Sequence, residues 1–206
     1  MSVFTPIEDA LKAYKNGEFL IVMDDEDREN EGDLIVAAEL ITTQKMAFLV
    51  RYSSGYVCVP LSTKRAAELE LPPMIKNRTD RQGTAYTHTV DARDGTTTGI
   101  SASDRALTCQ VLANPRSKPE ELMRPGHICP LIAREGLLKE RRGHTEAAVQ
   151  LCELTGLQPA GVIGELVRDE DGSMMRLDDC VQFGLRHNVK IINLDQIIEY
   201  MDSKNS

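Results

Sequence analysis

The stretch DDEDRENEGD, from Asp24 to Asp33, places seven carboxylates and one arginine in ten residues. It lies between FLIVM (19–23) and LIVAAEL (34–40), apolar runs of the kind that become buried strands, so the charge sits at the edge of a core. A charge run is most often a solvated turn, and Asn30 with Gly32 suits one. Repulsion opposes such crowding: two like charges about 4 Å apart cost on the order of 1 kcal/mol even at the dielectric of bulk water. A cation or an arginine relieves it, and Arg28 can answer only some of these carboxylates. An EF-hand reading fails because, counting from Asp27, Ala38 stands where a bidentate Glu belongs. Magnesium suits the loop better, since it needs only one or two protein carboxylates and completes its shell from water and an oxygen-rich substrate.

A second constellation is RRGHTEAAVQLCELTG, in which Arg141, Arg142 and Gly143 lead into His144 and Thr145 at the start of a helix. Unpaired backbone N–H groups, the helix dipole and two guanidinium groups suit a phosphate, and Thr145 can cap or donate. His144 is placed to be a metal ligand beside it, although a lone histidine is more often a capping or core residue. Glu165 interrupts the apolar strand GVIGELV, where burial would raise its pKa and make it a proton acceptor or donor near neutral pH. The bland alternative is an outward-facing position. His127, in RPGHICP, follows a Pro-Gly turn and precedes a strand, a common place for catalytic side chains. His88 and His187 have no comparable context.

These groups need a scaffold. Thr5 and Pro6 open a helix that Gly17 stops. Strand 19–23, the acid loop and strand 34–40 follow, then a helix over 43–52, strand YVCVPL and helix STKRAAELE, ended by Pro72 and Pro73. A polar loop KNRTDRQG leads to strand AYTHTVDA, a helix behind a Ser103 or Asp104 cap, strand ICPLIA and the helix after RRGH. A hairpin GVIGELV, RDEDG, SMMRL, a helix near DDCVQFGLRHN, strand VKIINL and helix DQIIEYMD complete the chain. Alternating strands and helices with one hairpin predict a single α/β (α+β) domain over 1–206, a three-layer sandwich with a mixed sheet flanked by helices.

The whole-chain balance narrows function further. A formal charge of -8 over 206 residues argues against general nucleic-acid binding. No apolar run approaches the roughly 20 residues of a membrane helix, and the N-terminus has neither a signal h-region nor an Arg-rich transit pattern, so a cytoplasmic location is expected. Five cysteines without a CxxC pair give neither a zinc site nor a disulfide framework and read as buried core residues. Cys58, near the end of a strand in SSGYVCVP, is the one placed to line a pocket.

DDEDRENEGD, SGYVCVPL, GTTTGISASDRA, RPGHICPL, RRGHTEAAVQL and PAGVIGEL occur in this order over nearly the whole chain, and in this the sequence closely resembles the 3,4-dihydroxy-2-butanone 4-phosphate synthases of riboflavin biosynthesis. The resemblance implies conversion of D-ribulose 5-phosphate to L-3,4-dihydroxy-2-butanone 4-phosphate and formate, through an enediol, loss of water and skeletal rearrangement. It implies two divalent ions, Mg2+ with Mn2+ as an alternative, held by Glu29 and His144. It implies substrate contacts from Arg28, Glu31, Asp33, Thr98 and the segment Arg141, Arg142, Gly143 and Thr145, and acid-base roles for Glu165 and His127. It also implies a homodimer with sites near the subunit interface, where His127 can serve the other chain's site. A fused GTP cyclohydrolase II domain, frequent in relatives, is not expected here, and RRGH replaces the common RGGH. A metal-binding regulatory module and a different magnesium-dependent sugar-phosphate isomerase or aldolase are the competing readings.

Overall fold

The two apolar runs beside the acid loop become neighbouring strands. In the computed structural model, which describes residues 3–77 and 79–204, β1 (Leu20–Met23) and β2 (Gly32–Ala37) pair antiparallel, with Met23 opposite Gly32 and Leu20 opposite Ile35. The acid loop is therefore the connection of a hairpin. Every residue of both strands is buried, as continuous apolar runs covered on both faces require.

The remaining strands are β3 (Cys58–Leu61), β4 (Val90–Ala92), β5 (Leu122–Ile132), β6 (Gly161–Glu165) and β7 (Lys190–Asn193), and the sheet order is β4-β5-β3-β6-β2-β1-β7. Pairings β1·β7 and β3·β5 are parallel, and β1·β2, β2·β6, β3·β6 and β4·β5 are antiparallel. Alternation splits each strand between two cores. Ile21, Leu34, Val36 and Val162 face one core with α2 (Thr43–Tyr52), α4 (Ala102–Ala113) and α6 (Leu177–His187). Leu20, Ile35, Cys58 and Ile163 face the other with α1 (Ile7–Lys15), α5 (His144–Thr155) and α7 (Leu194–Lys204). A short α3 (Thr63–Glu68) follows β3. This is the expected three-layer sandwich with a mixed sheet.

Several local expectations change. Pro6, not Thr5, holds the N-cap position of α1, and no side chain caps it. Ser101 rather than Ser103 or Asp104 caps α4 and accepts from the Asp104 N–H at 3.1 Å, while the Asp104 carboxylate folds back onto the N–H groups of Thr97 and Gly99. The expected strand 85–92 is regular only from Val90, preceded by single bridges at Tyr86 and Thr87. RPGH does not end the strand but interrupts its pairing: within β5 (Leu122–Ile132) the register jumps from Ile128 opposite Val90 to Met123 opposite Asp91, so residues 124–127 bulge out of the ladder. Behind β6 the chain reverses near Gly172, but Met174 makes one bridge to Val167 and no second hairpin strand forms. Arg78, in the polar loop, lies outside the described residues.

Candidate active site

The acid loop is wrapped around Asp24. Its Oδ2 accepts from Arg28 Nη1 at 2.8 Å and the Glu29 N–H at 3.2 Å, and its Oδ1 accepts from the Glu31 N–H at 2.8 Å. Asp24 is itself buried, so these bonds are made where water competes weakly. They turn Glu29 toward the first turn of α5 with Arg28 Nη1 at 2.5 Å from Glu29 Oε2. Asp24, Glu29 and His144 each offer a ligand atom, all within 4.8 Å of one another.

His144, the first residue of α5, is buried and donates from Nε2 to the Val22 carbonyl of β1 at 3.0 Å. A carbonyl only accepts, so this bond places a proton on Nε2. Nδ1 is thereby turned into the cleft, 3.4 Å from Asp33 Oδ1 and 3.9 Å from Glu29 Oε2. Asp33 Oδ1 is buried without a hydrogen-bond partner among the described residues. Desolvation pushes the Asp33 carboxyl up to about 7 despite the His144 ring beside it, and the carboxylates of Glu165, Glu29 and Glu31 add to the rise. Burial likewise raises Glu31, aided by Glu165 and Glu29. A ring nitrogen and converging carboxylates with one orphaned oxygen form a donor set that fits a hard divalent cation.

Arg141 also lines the cleft. Its Nη1 pairs with the buried Glu146 at 2.5 Å, Nε donates to the Gln82 carbonyl at 3.0 Å and Nη2 to Thr84 Oγ1 at 2.9 Å. Gly143, not Thr145, is the N-cap of α5, which has no side-chain cap. A Cβ on Gly143 would collide with the Arg141 guanidinium. Glycine thus lets an arginine lie against a helix start whose first N–H groups lack intrahelical partners, an arrangement suited to an anion.

Arg28, Glu29, Asp33, Cys58, Arg141, His144, Thr145 and Glu165 line one cleft of about 470 Å³. Its hydrogen bond with Cys129, then burial, push the Cys58 thiol well up, so Cys58 presents a neutral thiol. Glu165 is exposed rather than buried and accepts from Ser54 Oγ at 3.2 Å. It ends β6, and the side chain points into open cleft space instead of the core. Tyr56, Thr84 and Tyr86 also line the cleft. Tyr56 was legible as the i−2 neighbour of Cys58 on an extended segment; Thr84 had no local signal.

The other candidates lie elsewhere. His127 accompanies Asp91, whose Oδ1 accepts the His127 N–H at 2.8 Å and whose Oδ2 meets Nδ1 at 2.7 Å. Gly99, at φ +91, packs so closely that a Cβ there would strike both side chains, and the exposed Thr98 adjoins it. This second cluster is at the β4·β5 end of the sheet and contributes nothing to the cleft lining. Arg142 also stays out of the lining: it is bound to Asp25 and Asp195.

The chain as a whole is similar to known proteins. A family profile described as 3,4-dihydroxy-2-butanone 4-phosphate synthase matches residues 8–200. A protein of that name from Candida albicans is 75% identical over 200 residues, covering 97% of this chain and 98% of its own length. The one from Saccharomyces cerevisiae is 54% identical, covering 97% and 99%. A crystal structure of the Candida albicans synthase superposes with a TM-score of 0.92 at 73% identity, over 97% of this chain and 99% of that one. A synthase crystallised with two magnesium ions gives 0.94 at 46% identity, over 98% and 99%. With a profile match over residues 8–200 and relatives of that name matched over nearly their whole length, the chain belongs to the 3,4-dihydroxy-2-butanone 4-phosphate synthase family.

Proposed function

We propose that the protein is a divalent-metal-dependent carbon-carbon lyase that converts D-ribulose 5-phosphate to L-3,4-dihydroxy-2-butanone 4-phosphate and formate in riboflavin biosynthesis. The observation that carries this is the locked His144 ring at the start of α5, with Nδ1 turned toward Glu29 and Asp33 in a cleft that Arg141 also lines. The cleft holds groups that suit a cation together with groups that suit an anion. A sugar phosphate needs both.

Glu29 and His144 would hold the metal, as two Mg2+ or Mn2+ ions, with Asp24 closing the same cluster. When bound, the ions supply Lewis acidity that stabilises negative charge on the sugar oxygens. Arg28, Glu31 and Asp33 orient the sugar hydroxyls. Arg141, Gly143 and Thr145, with the helix start, anchor the phosphate and so position the reacting carbons. Glu165, exposed to the cleft beside Ser54, takes and returns protons on the carbon skeleton. His127 is held by Asp91 outside the cleft lining, which supports a homodimer in which His127 and Thr98 complete the partner's site. The Tyr56 and Tyr86 rings exclude water from one flank.

The chain is read as one synthase domain, the family profile spanning residues 8–200. Some relatives are longer: the chain spans 47% of the RibBA protein of Salinispora arenicola. No helix among the described residues is long and apolar enough to cross a membrane, and a cytoplasmic location is proposed.

Purified protein incubated with D-ribulose 5-phosphate and Mg2+ should release formate and a four-carbon phosphate in step, and EDTA should stop both. Absence of both products with metal present overturns the reading. An isomerase or aldolase would consume the sugar without formate.

A further inference from the structure

The acid loop is gripped from outside the cleft as well as from within. Arg176, at the start of α6, donates from Nη1 to the carbonyls of Glu29 and Asn30, each at 2.6 Å, and lies 3.8 Å from Glu31 Oε1. Arg142, at the entry to α5, donates from Nε and Nη2 to the two carboxylate oxygens of Asp25, each at 2.6 Å, and from Nη2 to Asp195 of α7 at 2.8 Å. Neither arginine lines the cleft. They meet the loop at its two ends, Asp25 after β1 and Glu29–Asn30 before β2. Asn30 is held in the left-handed region, at φ +54, which an unrestrained loop would leave.

The choice of acceptors is informative. Arg176 grips backbone carbonyls, which fixes the turn while leaving the Glu29 carboxylate directed inward. Arg142 engages Asp25 through both oxygens, a geometry only a guanidinium makes. Each arginine also offsets charge in a loop of seven carboxylates that otherwise repel one another. Exposed ion pairs stabilise a fold little. Their effect here is on the shape of one loop, because a ligand that binds only the ordered loop loses apparent affinity in proportion to the time the loop is disordered.

We propose that Arg142 and Arg176 are positioning residues that hold the acid loop in its metal-binding shape, one through Asp25 and the other through the Glu29 and Asn30 carbonyls. This rests on the metal role proposed above for that loop. It also assigns the second arginine of RRGH to the loop rather than to the phosphate.

The test is manganese(II) binding to EDTA-treated protein, read by electron paramagnetic resonance, for R142A, R176A and the double variant, beside thermal unfolding and inorganic-phosphate binding. Each single change should weaken Mn2+ about tenfold and the double change more, with phosphate affinity and the melting temperature of the metal-free protein close to wild type. R176K should recover much of the loss, since an ammonium reaches a carbonyl, whereas R142K should not restore the two-point grip on Asp25. Wild-type Mn2+ affinity in both alanine variants overturns the proposal, as does a loss fully matched by a fall in melting temperature. If an alanine variant fails to fold, R176M and D25N carry the same comparison. If wild-type protein binds no Mn2+, the metal reading fails instead. Hydrogen exchange at the Glu29 to Glu31 amides then decides the positioning role: faster exchange in the variants supports it and unchanged exchange overturns it.

Discussion

Asp33 and Glu165 are direct cross-strand partners on β2 and β6, yet Asp33 is 1% exposed while Glu165 opens to solvent. Directly opposed residues of an antiparallel pair share a face and interact. Two carboxylates so paired repel, and the buried one takes the consequence: desolvation first, with Glu165 among the charges adding to it, holds Asp33 near 7. The cleft thus holds one buried and one solvent-exposed carboxylate side by side.

The metal-free protein should therefore lose stability as pH rises. The Asp33 carboxyl binds its proton more tightly folded than unfolded, so its contribution is fully present below about 3.8 and lost as pH passes about 7. D33N should flatten this slope and stabilise the metal-free protein at pH 8 by on the order of 2 kcal/mol, while cutting turnover. Denaturant unfolding of both proteins from pH 4 to pH 8 in EDTA measures it, and equal slopes would refute the assignment.

Cation affinity should run the other way. A proton on Asp33 competes with a cation beside it, so Mg2+ or Mn2+ binding should strengthen between pH 6 and pH 8, through the value near 7. E29Q and H144A should each abolish ion-dependent stabilisation, which at a hundred times Kd amounts to about 2.7 kcal/mol in a competent site. Thermal shifts with and without Mg2+ at several pH values suffice, and a shift retained by either variant removes that residue from the ligand set.

Arg141 should not tolerate lysine. Its guanidinium bonds Glu146, Gln82 and Thr84 at once, and an ammonium cannot span those directions. R141K is expected to lower kcat/KM at least about 100-fold, mostly through KM. Near-normal steady-state kinetics would place the phosphate elsewhere.

His127 and Glu29 should complement across subunits. Because the His127–Asp91 pair is not among the residues lining the cleft of its own chain, mixing inactive H127N with inactive E29Q should regenerate activity through hybrid dimers. No recovery after co-refolding would put both residues in one chain's site.

Gly99→Ala should be damaging although Gly99 touches no proposed ligand. The position has φ +91, and a Cβ would strike Asp91 and His127, so a loss of about 1–3 kcal/mol is expected. Calorimetric unfolding of the variant gives the value.

By itself the sequence determined the layers, because continuous apolar runs such as 34–37, bounded by turn residues, read as strands covered on both faces, and the acid loop and RRGHTE announced their chemistry by type and spacing; the expected strand 34–40 ends at Ala37, where a 3-10 turn (Ala38–Leu40) begins. It also marked Cys58 as a pocket residue by its place at a strand end. The tertiary structure alone decided which charges meet. Asp25 and Arg142 are 117 residues apart, and His144 and Val22 are 122 apart, so no local pattern pairs them. Burial too is a property of the packed sheet: it turned Asp33 into the perturbed acid and left Glu165 exposed, although both interrupt apolar strands. RPGH read as a turn because Pro and Gly usually break strands; in the sheet it is a bulge within β5 opposite the Val90–Asp91 step of β4, and there His127 meets Asp91 instead of the cleft.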